Sequence, residues 1–327
     1  MELVALGAAL GFCLIAGGIG FAGSYRAWLV AGDTKGVRAQ LLFLAAAIAL
    51  HALVFGVGGY GGGFVAPVGV ALGIGAFVFG IGMQMASGCG SGTLSALGAG
   101  SPRMRVVLPF FVAGAFWGSL DAPAWDALPA FSARALGDVW GWGPTTLLQL
   151  LVVAALWRFL PKAAALPRRT VVAALALAVF AAACVPLAGH PWGITSAFAL
   201  GGAKIAQMLG WDPALSAAWS QGWQAESLAQ PWWDNTTARL DAGLVLGAFA
   251  AARIVRPRPS FAAPDLRGFA FAALGGLLMG YGARISGGCN IGAFVGGVVS
   301  GSPHGWAWIL AALAGCRIGI ALTPARR

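Results

Sequence analysis

Two stretches of sequence, 200 positions apart, decide the fold. Residues 79–92 read FGIGMQMASGCGSG and residues 279–292 read MGYGARISGGCNIG. Each places one cysteine in a glycine-rich break between a long apolar run and a short one, 93–100 or 293–300. The identities at this offset are Gly80/Gly280, Gly82/Gly282, Gly88/Gly288, Cys89/Cys289 and Gly92/Gly292. This is an internal repeat, and each copy predicts a long helix followed by a short re-entrant helix.

The composition around the repeat is that of a polytopic membrane protein. Only 9% of the 327 residues are charged, 59% are hydrophobic, and the mean hydropathy is +0.82. A soluble fold of this length would lack the polar side chains to cover its surface. The net charge of +10 is divided among short loops rather than gathered on one face, which argues against nucleic acid as a partner. We therefore expect an all-α protein whose surroundings are the lipid bilayer.

Nine stretches are long and apolar enough to cross about 30 Å of hydrocarbon. They are 3–23, 39–57, 64–86, 106–121, 143–160, 170–188, 239–255, 267–286 and 304–322. Basic residues cluster in alternate loops, which lie inside by the positive-inside rule: 24–38, 101–105, 158–169 and 253–266. The N-terminus is then periplasmic and the C-terminus cytoplasmic in a bacterial inner membrane. Segment 121–142 is predicted to be an outer loop, and segment 189–238 to hold short helices.

The charge pattern also predicts that the two repeats are inverted. The span before Cys89 runs inward, whereas the span before Cys289 runs outward. Many transporters form one central site between inverted repeats. We accordingly divide the chain into a first membrane repeat, 1–142, a connecting span with its cytoplasmic loop, 143–169, and a second, inverted repeat, 170–327.

The glycine-rich breaks are the predicted binding site. Free backbone N–H groups and short helices beginning near Thr93 and Ala293 favour an anion. A thiol adds a weak donor and a polarizable atom, which suits a sulfur-containing anion. The candidate residues in or near the breaks are Gln84, Gly88, Cys89, Gly90, Ser91, Gly92, Arg284, Gly288, Cys289 and Asn290. Cys13, Cys184, Cys316, His51 and His190 are interpreted as structural, and the wide spacing of the cysteines predicts no metal site.

Three motifs resemble the YeeE/YedE sulfur-transport family: G-x-G-x-x-x-x-S-G-C-G-S-G-T-L at 80–94, S-G-G-C-N-I-G at 286–292 and P-W-G-I-T-S-A-F at 191–198. The resemblance implies an hourglass-shaped transporter that imports thiosulfate past successive cysteines by transient S–H hydrogen bonds. It adds Thr195 and Ser196 to the candidate residues. The first cysteine of the family falls at or near Trp28 here. No cofactor is expected, and a small cytoplasmic sulfur-carrier protein is a further candidate partner.

Other functions remain open on the sequence alone. An intramembrane enzyme or sulfur relay with a covalent cysteine would need an activating base or cation, and only Arg284 offers one. A passive anion channel would differ in lacking saturation, and the ion could be another sulfur or selenium species. No G-x-x-x-x-G-K-[ST] loop occurs, so direct use of ATP is not expected. We expect a transporter and not an enzyme.

Overall fold

The computed structural model describes residues 1–255, 261 and 265–323. Its α-helices are α1 (Glu2–Gly17), α2 (Ala22–Ala31), α3 (Lys35–Ala52), α4 (Val70–Ala86), α5 (Gly90–Gly98), α6 (Pro102–Asp126), α7 (Leu136–Trp140), α8 (Trp142–Phe159), α9 (Arg168–Ala188), α10 (Thr195–Met208), α11 (Gly222–Ala229), α12 (Thr236–Ile254), α13 (Leu266–Ile285), α14 (Gly296–Val299) and α15 (Pro303–Leu322). Two π-helices (Leu53–Val57 and Asn290–Val295) and two 3₁₀-helices (Pro213–Leu215 and Trp232–Asp234) complete the helical part. Strands β1 (Val68–Gly69) and β2 (Ala130–Phe131) pair antiparallel.

Seven helical stretches of the described chain are long and apolar enough to cross a membrane. They are Glu2–Ala31, Lys35–Val57, Val70–Gly98, Pro102–Asp126, Arg168–Ala188, Leu266–Val299 and Pro303–Leu322. The other two predicted spans form α8 and α12, which have 18 and 19 residues but a more polar composition. Each of the nine predicted spans thus contains a helix, and seven helical stretches have both the length and the composition of a membrane span. The chain is an all-α polytopic membrane protein.

Several helix boundaries differ from the sequence prediction. The first span ends at Gly17, because Gly18 takes a left-handed conformation (φ 63°) before α2 begins. The predicted third span begins only at Val70, since the preceding residues are extended and end in β1. The fourth span is longer than predicted: α6 takes in Pro123 and reaches Asp126, so the expected outer loop after residue 121 starts later.

The two long repeat helices, α4 and α13, run in opposite directions against each other. Gly75 of α4 packs on the end of α13, where a Cβ would lie 2.8 Å from the Gly282 carbonyl oxygen. Gly82, two turns later in α4, instead meets the earlier part of α13, where a Cβ would lie 2.6 Å from the Gly275 carbonyl oxygen. This antiparallel course is the relation that inverted repeats require.

Each long repeat helix also lies beside the helix that follows the other repeat. Helix α13 packs on α6, where Gly114 and Gly118 approach Leu277 and Tyr281 in turn. Helix α4 packs on α15 in the matching way, and its Gly80 approaches Ala312. Close helix contacts through glycine are typical of membrane bundles. This packing of each long repeat helix on a helix of the other repeat supports the inverted division 1–142, 143–169 and 170–327. The division and the hourglass outline both stay predictions.

Part of the charge argument concerns residues that the structure does not describe. Arg256, Arg258, Arg326 and Arg327 lie outside the described residues. The predicted positions of the termini relative to the membrane therefore rest on the sequence.

Candidate anion site

Both repeat cysteines occupy the same backbone position, immediately before a short helix. Cys89 precedes α5 with φ −106° and ψ −171°, and Cys289 precedes the second π-helix with φ −101° and ψ −169°. The Cys89 and Cys289 carbonyl oxygens accept the first helical hydrogen bonds, from the N–H groups of Thr93 (2.7 Å) and Ala293 (2.8 Å). The short helices therefore begin directly after the cysteines, three residues earlier than expected, because the cysteine itself is the cap.

The two breaks are in contact, and both thiols are buried. The Cys89 sulfur accepts a hydrogen bond from the Gly92 N–H at 3.3 Å and lies 3.5 Å from the Ser91 hydroxyl. A Cβ on Gly90 would lie only 2.8 Å from the sulfur of Cys289. The exposed fractions of Cys89 and Cys289 are 1% and 0%. The structure thus brings five of the predicted site residues to one point, where the N-terminal ends of two short helices meet.

A polar cavity of about 420 Å³ lies beside the second break. Four predicted residues line it: Thr195, Ser196, Arg284 and Gly288. The sequence analysis missed other residues of its wall, among them Trp223, Asn235, Thr236 and Thr237. Helices α10 and α12 begin at this cavity, so two positive helix ends face it. We call this space the outer cavity, after the side on which the charge pattern places it.

Arg284 is the cation of the outer cavity. Its guanidinium lies 5.1 Å from the centre of the Trp223 ring, and its Nε atom is buried with no hydrogen-bond partner among the described residues. The Asp126 carboxylate attracts it electrostatically. Both Arg284 and Asp126 also line a neighbouring cavity of about 820 Å³. A half-buried guanidinium with an unsatisfied Nε donor that lines two cavities is suited to bind an anion.

His190 belongs to the wall of the outer cavity, although its sequence context favoured a structural role. Its Nδ1 donates to the Pro191 carbonyl oxygen at 2.7 Å, and its Nε2 accepts from the Thr236 hydroxyl at 2.9 Å. The ring stacks on Phe64 with the centroids 5.6 Å apart. Burial lowers the pKa of His190 below its usual 6.5, so the ring is neutral at pH 7.

A second polar group lies next to the thiols and outside the wall of the outer cavity. The Tyr25 hydroxyl faces the Asn290 amide and lies near Cys89 and Cys316. Among the described residues, neither polar atom of the Asn290 amide has a hydrogen bond of normal length. The Cys316 thiol interacts with Gln84, so this thiol has polar neighbours despite its expected apolar role. We call Tyr25, Gln84, Asn290 and Cys316 the inner cluster.

A profile of the Sulphur transport family matches residues 16–318, which include both breaks and both polar groups. The chain belongs to this family. The Thiosulfate transporter TsuA of Spirochaeta thermophila is 30% identical to it over 252 residues, which cover 71% of each protein. The resemblance to YeeE/YedE proteins is thereby confirmed, and membership in the Sulphur transport family supports a membrane transporter of a sulfur anion.

Two of the predicted site residues, Trp28 and Gly88, lie away from the contact between the breaks. Trp28 lies on α2 in the wall of an apolar cavity of about 420 Å³, together with Phe294 and Trp306. Tyr25, one turn earlier on the same helix, is the residue of α2 that reaches the inner cluster. Gly88 faces away, and a Cβ there would lie 3.1 Å from the Met104 methyl group.

Proposed function

We propose that this chain imports thiosulfate through the contact between its two glycine-rich breaks. The observation that carries the proposal is the pair of buried thiols, Cys89 and Cys289, at the N-terminal ends of two touching short helices. The relative from Spirochaeta thermophila, named as a thiosulfate transporter, supports the choice of ion. The clusters of basic residues support a bacterial inner membrane with the N-terminus in the periplasm.

Capture begins in the outer cavity. Thiosulfate carries two negative charges, and Arg284 supplies a half-buried cation with a free donor. The first residues of α10 and α12, Thr195 and Thr236, direct N–H groups and the positive ends of two helix dipoles toward the same space. These groups recognise negative charge and hydrogen-bond acceptors, and sulfate has both. The outer cavity therefore selects anions but does not distinguish thiosulfate from sulfate.

Passage through the contact is the step that the thiols perform. Because the Cys89 sulfur accepts from the Gly92 N–H, its own proton is free to donate to an anion. A soft thiol also contacts the terminal sulfur of thiosulfate favourably. The ion moves from one thiol to the other with no bond made or broken. Beyond them, the Tyr25 hydroxyl and the Asn290 amide of the inner cluster offer the next donors.

Delivery ends at the cytoplasmic side under this proposal. The ion leaves the inner cluster past Gln84 and Cys316 toward the basic loops that the charge pattern places inside. A small sulfur-carrier protein in the cytoplasm is the proposed recipient of the imported sulfur.

Thiosulfate uptake by purified protein in liposomes tests the proposal. Cys89→Ala and Cys289→Ala should each lower the uptake rate by roughly 10- to 100-fold, because a hydrogen bond to a charged group contributes about 1.5–3 kcal/mol. Cys184→Ala is the matched control: this thiol is also buried but donates to the Phe180 carbonyl oxygen within α9, and uptake should be unchanged. Wild-type uptake by the Cys89→Ala/Cys289→Ala double variant would disprove the role of the thiols.

The same liposomes distinguish the competing mechanisms. In a covalent relay, a cysteine thiolate would take the outer sulfur of thiosulfate to form a persulfide and release sulfite. Mass spectrometry of the protein and a sulfite assay would detect both products, whereas the proposed mechanism yields neither. A passive channel would show a rate that rises linearly with thiosulfate concentration, whereas binding in the outer cavity predicts saturation.

A further inference from the structure

Asp241 is a buried carboxylate that the proposed anion path leaves unexplained. It lies in α12 and is 5% exposed. Neither of its carboxylate oxygens has a hydrogen-bond partner among the described residues. An ionised carboxylate in a membrane bundle is costly without a partner, and such groups occur where ions or protons move. Asp241 could therefore bind an ion or a proton transiently.

Asp241 lies near both the outer cavity and Cys289. Thr237 is one helical turn earlier on the same face of α12, lines the outer cavity and accepts a hydrogen bond from the Ser196 hydroxyl at 3.2 Å. On the other side, Asp241 interacts electrostatically with Cys289. Hydroxyl groups thus lead from the cavity to a carboxyl group beside the anion path.

Several of the other charged and titratable groups around Asp241 have partners of their own or line the outer cavity. On or against α12, whose packed neighbours include α1, α5, α10 and the 3₁₀-helix Trp232–Asp234, these groups are Glu2, Cys13, His190, Lys204, Asp234, Arg239, Arg253, Arg284 and Cys289. Arg239 pairs with Asp234 at 2.8 Å, and Lys204 donates to the Leu228 carbonyl oxygen. Helix α5 contributes no titratable side chain. Asp241 is thus left without a compensating cation in the described part of the chain.

We propose that Asp241 binds a proton that is transported together with the anion, which makes the protein an anion/proton symporter. This inference rests on the proposed function. The carboxylate takes a proton from the outer cavity past Ser196 and Thr237, and the neutral acid no longer repels a dianion beside Cys289. Proton and anion then leave on the inner side, and the carboxylate is restored. Because a dianion is imported against an inside-negative potential, a co-transported proton removes part of that opposition.

Proteoliposomes with radiolabelled thiosulfate and a pH dye inside test the coupling. In the native protein, an outside pH of 6 against an inside pH of 8 should raise the initial uptake rate severalfold over equal pH, and thiosulfate should acidify the interior. Asp241→Asn should lose both responses but keep exchange of labelled for unlabelled thiosulfate, which needs no net proton movement. Asp138→Asn, which changes an exposed aspartate of α7, is the control and should behave as the native protein.

Each outcome decides the matter. Native exchange without any response to the pH gradient would overturn proton coupling while leaving thiosulfate transport intact. A full pH response in Asp241→Asn would overturn the role of this residue. Loss of exchange as well as uptake in both Asp241→Asn and Asp241→Glu, at normal levels of folded protein, would assign Asp241 a structural role and also overturn the inference. Absence of exchange in the native protein would instead count against the proposed function itself.

Discussion

Gly90→Ala tests the contact between the breaks with the smallest possible change. The added methyl carbon would lie 2.8 Å from the Cys289 sulfur and 3.3 Å from its Cβ, whereas ordinary contacts lie at 3.4–4 Å. Because Cys289 is fully buried, its side chain cannot turn out toward solvent to make room. Overpacking of this kind costs about 1–3 kcal/mol. We expect that loss in unfolding free energy. If the barrier to passage rises by the same amount, thiosulfate uptake should be roughly 5- to 150-fold slower, since about 1.4 kcal/mol is a factor of ten.

Two comparisons make the Gly90→Ala result decisive. Gly73→Ala places a methyl group where nothing lies within 4 Å, so uptake should stay normal and stability should rise by up to about 1 kcal/mol. In a Cys289→Ala background, Gly90→Ala should destabilise the protein far less, because the sulfur atom with which the new methyl group clashes is absent. Thermal unfolding in detergent measures both. Equal destabilisation with and without the Cys289 sulfur would refute the contact.

Three further predictions concern the polar groups on either side of the thiols. Arg284→Gln should raise the KM for thiosulfate uptake more than tenfold, and Arg284→Lys should raise the KM less, because it keeps the positive charge. An unchanged KM in both variants would show that Arg284 does not bind the transported anion. Tyr25→Phe should slow uptake severalfold with little change in KM, because its hydroxyl acts after capture; a pure KM effect would contradict this order. The pKa of His190 is held below 6.5, so the native state binds its proton less readily than the unfolded chain and loses stability as the pH falls from about 6.5. Thermal unfolding should show a smaller loss between pH 7 and 5 in His190→Gln; an identical pH dependence would show that another group is responsible.

The breaks were the part of the molecule that sequence predicted best, for a local reason. Glycines around Cys89 and Cys289 specify a turn wherever they occur, so the pairing of the two motifs was visible without any coordinates. The three-residue error in where the short helices begin arose because a cysteine that caps a helix leaves no recognised sequence signal. The similar backbone angles of the two cysteines could not have been predicted from residue types alone.

The outer cavity was only half predicted, because its wall comes from segments far apart in the chain. Arg284 and Thr195 were identified from the repeat and the resemblance, but His190 and Thr236 become neighbours only through tertiary packing. Asp241 was not singled out because the predicted span 239–255 also carries Arg239 and Arg253, and the sequence does not show which of these charges lacks a partner. Its lack of a partner is a property of the fold rather than of the local sequence.

The exchanged packing of the long helices restricts how the protein can move. Helix α13 packs on α6, and α4 packs on α15. At both interfaces, glycines let the backbones of the two helices come into direct contact. A rigid-body rotation of one half against the other would have to break the α13–α6 and α4–α15 interfaces at the same time. The two halves are interlocked through these two helix interfaces. Access to the thiols therefore has to change through the short helices and loops around them. Helix α4 can complete this packing only after α15, which follows it in the chain, has been synthesised.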